Sequence, residues 1–290
     1  MKPAKFAYHA PKSLDEALSL LKRYGGEARV LAGGQSLIPM MNFRLANPPA
    51  LVDLNRMPGL DYIRQESGVV RIGAMTRQRA IEFSDLVGEQ LPLLREAIKL
   101  VGHLPTRSRG TIGGSLAHAD PAAELPMMLQ ALDGEVVARG PDGERVIKAA
   151  DFFRSILTTA LTPEEILTEV RLPAMPANAG YAVEEFARRH GDFAIAAVAA
   201  VILRQGDRCV TARLATAGTG PVPLRLRAAE AILESKGLGD AAVEEAATVA
   251  AGSVEPMTDQ NGSAEFRRHL TRVLAGRAVR RAAAGSGRMR

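Results

Sequence analysis

Two pairs of adjacent glycines constrain the fold of this chain more than any other feature. The first pair lies in the segment AGGQS, residues 32–36, directly after a short apolar run, and the second lies in TIGGS, residues 111–115. Glycine has no Cβ, so it adopts backbone conformations that other residues avoid and lets another segment or a ligand approach closely. Each pair therefore predicts a sharp turn or a close contact of the backbone.

Each glycine motif has two interpretations. One is a tight turn without a ligand, and the other is a cradle in which successive backbone N–H groups converge on an anion. Neither segment matches the dinucleotide pattern G-x-G-x-x-G or the phosphate loop G-x-x-x-x-G-K-S/T. The two motifs together, in separate sub-domains, favour one extended diphosphate held from both sides.

The first two units of the chain are predicted as α/β sub-domains over residues 1–56 and 57–175. In the first, the capping box at residues 13–16 opens a helix that ends at Gly25, and strands follow at 28–32 and 51–54. In the second we expect strands at 69–72, 135–138, 144–147 and 166–172, a helix at 77–82, and a longer helix through Leu93, Ile98 and Val101.

A proline-rich stretch at residues 173–178 marks the start of a third unit, residues 176–290. Its first part is predicted as an antiparallel meander of three strands, 181–187, 194–203 and 209–217, with a turn at 205–207. Helices are then expected at 226–234, 241–251 and 263–284. The fold class is therefore α+β.

Cysteine content limits the chemistry that this chain can carry. The only cysteine is Cys209, which cannot form an internal disulfide or supply the several thiolates of an iron–sulfur cluster. No apolar run approaches the roughly 20 residues of a membrane span. We expect a cytoplasmic protein, with no membrane span and no nucleic-acid partner.

The net charge of +5 comes largely from arginines near the carboxyl end, which we interpret as a solvated helix face or, less favoured, a partner surface. They are Arg267, Arg268, Arg272, Arg277, Arg280, Arg281, Arg288 and Arg290.

Three polar residues follow the second motif closely: His118, Asp120 and Glu124. Carboxylates accept hydrogen bonds from ribose and ribityl hydroxyls, so these residues fit beside a nucleotide. A hard metal ion is the alternative, but three such ligands are few, and we expect no metal. No serine or cysteine has a convincing histidine and carboxylate near it, so we expect no catalytic nucleophile.

Four segments in order resemble one family. VLAGGQSLIPMMNFRLANPPALVDLNRM, RGTIGGSLAHADPAAELP, LTPEEILTEVRLP and FARRHGDFAIAAVAA are similar to the FAD-binding medium subunit of the xanthine dehydrogenase and carbon monoxide dehydrogenase family of molybdenum hydroxylases. The resemblance implies two FAD-binding sub-domains of the vanillyl-alcohol oxidase (PCMH) type. It also implies a carboxy-terminal domain with a three-stranded antiparallel sheet and a helical bundle.

The resemblance also implies which residues contact FAD. One departure concerns the third unit, where related subunits often carry a lysine but this chain has Glu184-Glu185-Phe186 before Arg188-Arg189. The implied cofactor-binding residues are Ala32, Gly33, Gly34, Gln35, Ser36, Leu37, Thr111, Ile112, Gly113, Gly114, Ser115, Ala117, Asp120, Glu124, Ile166, Asp192 and Phe193.

The function implied is electron transfer rather than substrate activation. FAD on this chain would pass electrons from 2Fe-2S clusters on a small subunit to an external acceptor, and a large subunit with a molybdopterin cofactor would act on the substrate. The expected assembly is a dimer of heterotrimers. Two alternatives are a self-sufficient FAD-dependent oxidase or reductase and a non-redox assembly module on the same fold.

Overall fold

A computed structural model describes residues 2–206 and 208–285. They form three main sheets with helices packed against them. No helix in this part of the chain is long and apolar enough to cross a bilayer. Asp207 of the predicted turn and the arginines at 288 and 290 lie outside the described residues.

The first unit is a three-stranded parallel sheet with the strand order β1-β3-β2, formed by β1 (Ala7–His9), β2 (Arg29–Leu31) and β3 (Ala50–Asp53). Helices α1 (Leu14–Arg23) and α2 (Leu37–Asn42) make the two crossovers. The predicted capping box is confirmed at one end: the Ser13 hydroxyl accepts from the Glu16 N–H at 3.2 Å. The short helix α2 was not predicted.

The second unit is built on a five-stranded antiparallel sheet with the order β4-β5-β10-β6-β7. The predicted hairpin is confirmed, and Gly143 in its turn has a φ of 111°. A small two-stranded ribbon, β8 with β9, lies beside the sheet. The strands are β4 (Ile63–Glu66), β5 (Val69–Gly73), β6 (Glu135–Gly140), β7 (Gly143–Lys148), β8 (Phe153–Ser155), β9 (Thr158–Thr159) and β10 (Ile166–Pro173).

Short helices cover this sheet, and the longer helix predicted through Leu93, Ile98 and Val101 is wrong. Pro92 lacks an N–H and starts a new helix that ends at Ala97, and Gly102 then turns with a positive φ. The helices are α3 (Gln78–Phe83), α4 (Asp85–Gln90), α5 (Pro92–Ala97), α6 (Leu104–Arg109), α7 (Ile112–His118), α8 (Glu124–Ala131) and α9 (Ala149–Phe152).

The third unit has an antiparallel sheet of four strands rather than three, because the short β14 (Leu224–Arg225) pairs with β13. The predicted meander is confirmed as β11 (Gly180–Phe186), β12 (Ala196–Gln205) and β13 (Arg208–Ala217). The helices α10 (Arg227–Lys236), α11 (Asp240–Gly252) and α12 (Ala264–Ala283) follow.

Alternate residues of β12 enter different cores, since side chains along a strand point to opposite faces. Ala197, Ala199 and Val201 belong to the core shared with the second unit. Val198 and Ala200, which lie between them in the sequence, belong instead to the core formed with the carboxy-terminal helices. The sheet is therefore covered on both faces, and one face packs against the second unit.

The basic carboxy-terminal stretch is not simply a solvated face. Arg267 is 6% exposed, and its guanidinium donates to the Asp259 carboxylate at 2.7 and 2.8 Å and to two backbone carbonyls. Arg281 pairs with Glu184 and Glu96. For these two arginines the prediction is wrong, because they connect α12 to the sheet and to the second unit.

Candidate cofactor site

A large cavity of ≈ 1070 Å³ lies between the first and second units and contains both glycine motifs in its wall. Its size is at the upper end of the range for cavities that hold small molecules and cofactors. A second cavity of ≈ 620 Å³ lies on the other side of the first motif and is lined by polar residues that include Asp53, Asn55 and Arg77. Residues 32–35 are thus a thin wall between two cavities.

The first motif, residues 32–36, connects the end of β2 to α2. Gly34 has a φ of 72°, which turns the chain and which L-residues rarely adopt. Among the described residues, the N–H groups of Gly33, Gly34, Gln35 and Ser36 donate to no backbone carbonyl. The Ser36 side chain also makes no capping hydrogen bond to α2. Consecutive unpaired amides of this kind form a cradle for an anion.

The second motif, residues 111–115, is different because it forms the first turn of α7 rather than a loop. Its amides already have partners: the Ile112 N–H donates to the Thr76 carbonyl at 3.1 Å, and the Gly113 N–H donates to the Ala74 carbonyl at 2.9 Å. The Thr111 hydroxyl caps the helix by accepting from the Gly114 N–H at 3.0 Å. The expectation of a second amide cradle is therefore wrong.

The glycines of both motifs also allow close packing, Gly33 between the two units and Gly113 and Gly114 within the second unit. A Cβ on Gly33 would lie 2.5 Å from the Arg109 carbonyl oxygen, and a Cβ on Gly113 would lie 2.5 Å from the Ala74 Cβ. A Cβ on Gly114 would lie 2.7 Å from the Thr111 hydroxyl. Such distances are too short for real atoms, so these positions require glycine for packing alone.

A chain of hydrogen bonds behind the first motif holds it against the second. Asn55 donates to the Ala32 carbonyl at 2.8 Å, and Arg77 donates to the Asn55 side chain at 2.6 Å. Arg77 also donates to the Arg109 carbonyl just before the second motif. Asn55 and Arg77 thus link the two units, and sequence reasoning missed both.

Glu124 lies in the wall of the large cavity at the start of α8 and is 3% exposed. Burial raises the pKa of Glu124 to about 8, and the charges of Glu185 and Asp120 contribute to this rise. Asp120 accepts from the Ala122 N–H at 2.9 Å, which shapes the loop between α7 and α8. Glu124 is therefore held largely in its neutral acid form at neutral pH.

The cavity brings together nearly all the residues predicted to contact the cofactor. Ile112 is an exception, because its side chain is 2% exposed and packs in the core. Asp192 is the other, because it lies in a turn outside the cavity wall, while its neighbour Phe193 does line the cavity and is 56% exposed. The predicted residues in the wall are Ala32, Gly33, Gly34, Gln35, Ser36, Leu37, Thr111, Gly113, Gly114, Ser115, Ala117, Asp120, Glu124, Ile166 and Phe193.

The wall also contains residues that were not predicted as contacts. Gln78 is 5% exposed, and its side-chain carbonyl oxygen is buried without a hydrogen-bond partner in the described part of the chain. Such an oxygen is costly unless a ligand or water pairs with it. His118 and Met40 also line the cavity. No pattern in the sequence near Gln78 indicated this role.

These features fit a ligand with a diphosphate and a long body. The unpaired amides suit the diphosphate, and apolar and weakly polar residues line the rest of a cavity of this size. Two family models match the chain: the FAD binding domain in molybdopterin dehydrogenase over residues 4–175, and the CO dehydrogenase flavoprotein C-terminal domain over residues 181–282. The chain belongs to the FAD-binding subunits of the molybdenum hydroxylases.

Relatives cover nearly the whole chain of this FAD-binding subunit. It is 41% identical to the 6-hydroxypseudooxynicotine dehydrogenase complex subunit alpha of Paenarthrobacter nicotinovorans, with 97% of this chain and 96% of the relative aligned. It is 40% identical to the carbon monoxide dehydrogenase medium chain of Afipia carboxidovorans, with 98% and 99% aligned.

A solved carbon monoxide dehydrogenase from Hydrogenophaga pseudoflava has a chain with a TM-score of 0.97 and 41% identity, with 98% of this chain and 99% of that chain covered. The predicted family and fold class are therefore confirmed, and the cofactor of the family is FAD. The chain is a subunit of an oxidoreductase.

Proposed function

We propose that FAD on this chain passes electrons from iron–sulfur clusters on a small partner subunit to an external acceptor. The observation that carries the proposal is a flavin-sized cavity in a chain whose single cysteine cannot hold an iron–sulfur cluster. Cys209 is the single cysteine, is buried, and has its pKa raised to about 11 by burial. One such thiol cannot hold an iron–sulfur cluster.

The described residues also contain no group of three or more His, Cys, Asp or Glu side chains placed to hold a metal ion. Electrons delivered by an iron–sulfur cluster would therefore come from another chain. We propose a large molybdenum subunit as the place where the substrate is transformed, and a dimer of heterotrimers as the assembly. The names of the relatives, a "complex subunit alpha" and a "medium chain", support a multi-subunit enzyme.

The first motif would hold the diphosphate through its unpaired amides and the Ser36 hydroxyl. On the opposite wall, the side chains of Thr111 and Ser115 would contact the cofactor in place of the occupied amides. Ile166 and Phe193 would pack on the flavin ring and limit the access of water to it. The bound FAD supplies the capacity to accept and release electrons, and the chain binds and covers it.

The same proposal assigns the choice of substrate to the partner. Relatives that are 35–41% identical to this chain carry the names of different substrates, including carbon monoxide, caffeine and glyceraldehyde. A subunit that is shared across such different substrates is suited to electron transfer. A cytoplasmic location is part of the proposal, and the free thiol of Cys209 is compatible with a reducing compartment.

The test is to tag this chain, purify it with its partners without oxygen, and measure flavin, iron and molybdenum. We expect FAD rather than FMN, together with iron and molybdenum on co-purified chains. A limited amount of dithionite should then reduce the clusters and bleach the flavin absorbance, and an added acceptor dye should restore it. Removal of FAD should leave the clusters reducible and slow electron delivery to the dye.

Two results would contradict this proposal. One is a purified chain that brings neither iron nor molybdenum with it. The other is an isolated FAD-loaded chain that oxidises a small substrate with an artificial acceptor and no partner, which would indicate a self-sufficient oxidase or reductase.

A further inference from the structure

Glu124 lies in the wall of the large cavity, and the charge of a second acid, Glu185, acts on it. Glu185 is absent from the predicted contacts and is paired across the sheet with Ala197, which belongs to the core shared with the second unit. Glu124 begins α8 and lines the cavity, and Glu185 lies on β11. One carboxyl oxygen of Glu185 is fully buried and has no hydrogen-bond partner in the described part of the chain. A buried carboxyl oxygen without a donor disfavours the charged form of that group.

A series of backbone contacts brings β11 to the loop that carries Glu124. The Ile195 N–H donates to the Phe186 carbonyl at 2.8 Å, next to Glu185. Gly218 packs against the Ile195 backbone, where a Cβ would lie 2.8 Å from its carbonyl oxygen. The Gly218 N–H donates to the Pro121 carbonyl at 2.8 Å. Ile195 and Gly218 therefore connect the end of β11 to the loop between α7 and α8 on one side of the sheet.

The neighbouring acid on the same strand faces the other way. Glu184 pairs with Arg281 of α12, as expected for adjacent residues whose side chains point to opposite faces of a sheet. Glu185 therefore points towards the second unit and Glu184 towards the carboxy-terminal helix. Only Glu184 of the two has an ion pair among the described residues.

In the part of the chain that the structure describes, no cation is paired with Glu124 or Glu185. Within the described residues, neither Glu124 nor Glu185 takes part in an ion pair, and the third nearby charge is another acid, Asp120. From α12, Arg267 reaches the adjacent backbone, but it donates to the carbonyls of Ile195 and Gly218 and to Asp259.

His118, at the end of α7, lines the same cavity. Burial raises the pKa of Glu124 to about 8 and that of Glu185 to about 7. Two carboxyl groups near each other without a cation cannot both be ionised cheaply. The charge of Glu185 contributes to the raised pKa of Glu124, so the ionisation of Glu124 depends on that of Glu185.

We propose that Glu124 and Glu185 are a proton-retaining acid pair, and that Glu124 presents an O–H donor, not a carboxylate, to bound FAD. A neutral acid can donate to a ring carbonyl, a ring nitrogen or a hydroxyl of the cofactor, whereas a carboxylate can only accept. Glu185 acts as a positioning residue, since its charge controls when Glu124 ionises. The inference rests on the proposal that FAD occupies this cavity.

The test is the pH dependence of FAD binding to the full-length chain after removal of its FAD. Quenching of flavin fluorescence gives the dissociation constant between about pH 6 and about pH 9, on both sides of the expected transition. We expect the affinity of the unmodified chain to fall about tenfold as the pH rises through about 8, because the donor is lost and a charge forms.

Two substitutions separate the roles of the pair. Glu124→Gln keeps an N–H donor that does not titrate, so the affinity should lose its pH dependence. Glu185→Gln removes the neighbouring charge, so Glu124 should ionise more easily and the fall in affinity should move to lower pH. Glu245→Gln is the control, because Glu245 is exposed, is paired with Lys236, and should leave the profile unchanged.

Infrared spectroscopy of the unmodified chain provides a second readout that needs no variant to fold. A band from a protonated carboxyl group should be present at neutral pH, should shift when FAD binds, and should disappear near pH 8. A chain that binds FAD with no pH dependence and has no such band would overturn the acid pair alone. A folded chain that binds no FAD at any pH would instead overturn the assignment of the cavity.

Discussion

Residues 32–36 and residues 111–115 both carry paired glycines beside a hydroxyl residue and both line the same cavity. Their backbone N–H groups differ in whether they are hydrogen-bonded within the protein. In the first segment the amides of residues 33–36 find no backbone acceptor among the described residues, whereas in the second they pair with Ala74, Thr76 and Thr111. The amides of the first are available to a ligand, and those of the second maintain the protein's own structure.

The glycines of the two segments are also required for different reasons. Gly34 is required for its positive φ, which turns the backbone between β2 and α2 where the unpaired amides lie. Gly113 is required because it touches Ala74, the residue directly after β5, where any side chain would collide. Similar sequences thus differ in what their backbone does: the first leaves its amides available to a ligand, and the second joins a helix to a sheet.

The largest effect is expected from Gly113→Ala. The added methyl would lie 2.5 Å from the Ala74 Cβ and 2.7 Å from its carbonyl oxygen, and the backbone there cannot move easily. We expect the free energy of unfolding of the FAD-free chain to fall by about 3 kcal/mol in urea titrations.

The control for this loss is Gly252→Ala, a helical glycine whose added methyl meets nothing within 4 Å. It should be neutral or slightly stabilising, since alanine favours helices. If Gly113→Ala left stability unchanged and removed only FAD, the second motif would be a binding loop after all.

Ser36→Ala is expected to have a smaller effect, and on FAD affinity rather than on stability. The Ser36 hydroxyl caps no helix in the free chain, so the free energy of unfolding should change by less than about 0.5 kcal/mol. FAD affinity should fall about fivefold, the cost of one hydrogen bond. Fluorescence titration with FAD and urea unfolding of the same samples measure both quantities.

Ser84→Ala is the matched control with the reverse pattern. The Ser84 hydroxyl accepts from the Val87 N–H and caps α4, outside the cavity wall. This variant should lose about 1 kcal/mol of stability and keep its FAD affinity. A Ser36→Ala chain that behaved like Ser84→Ala would show that the first motif also has a structural role only.

Local patterns predicted much of the fold. The capping box at residues 13–16, the hairpin of β6 and β7, and the meander of the third unit all depend on residues close in sequence. The failures concern the length of one helix and a distant strand partner. The helix predicted through Leu93, Ile98 and Val101 ends at Ala97, and β14 exists because it adds to the edge of β13.

The cavity wall shows the same limit. Most of the predicted cofactor contacts do line the cavity, and Ile112 and Asp192 are the exceptions. The sequence did not indicate that the amides of the second motif are already hydrogen-bonded within the protein. Their acceptors at residues 74 and 76 lie far away in the sequence. Gln78, Asn55 and Arg77 were missed for the same reason. The boundaries drawn at residues 56 and 175 stay predictions.

Amide hydrogen exchange tests the difference between the motifs most directly. With FAD removed, we expect the amides of residues 33–36 to exchange as fast as unprotected ones and those of residues 112–115 to be protected; adding FAD should slow the first group and leave the second nearly unchanged. Fast exchange at residues 112–115 without FAD, with protection there on binding, would contradict this assignment. So would a first segment that FAD does not protect.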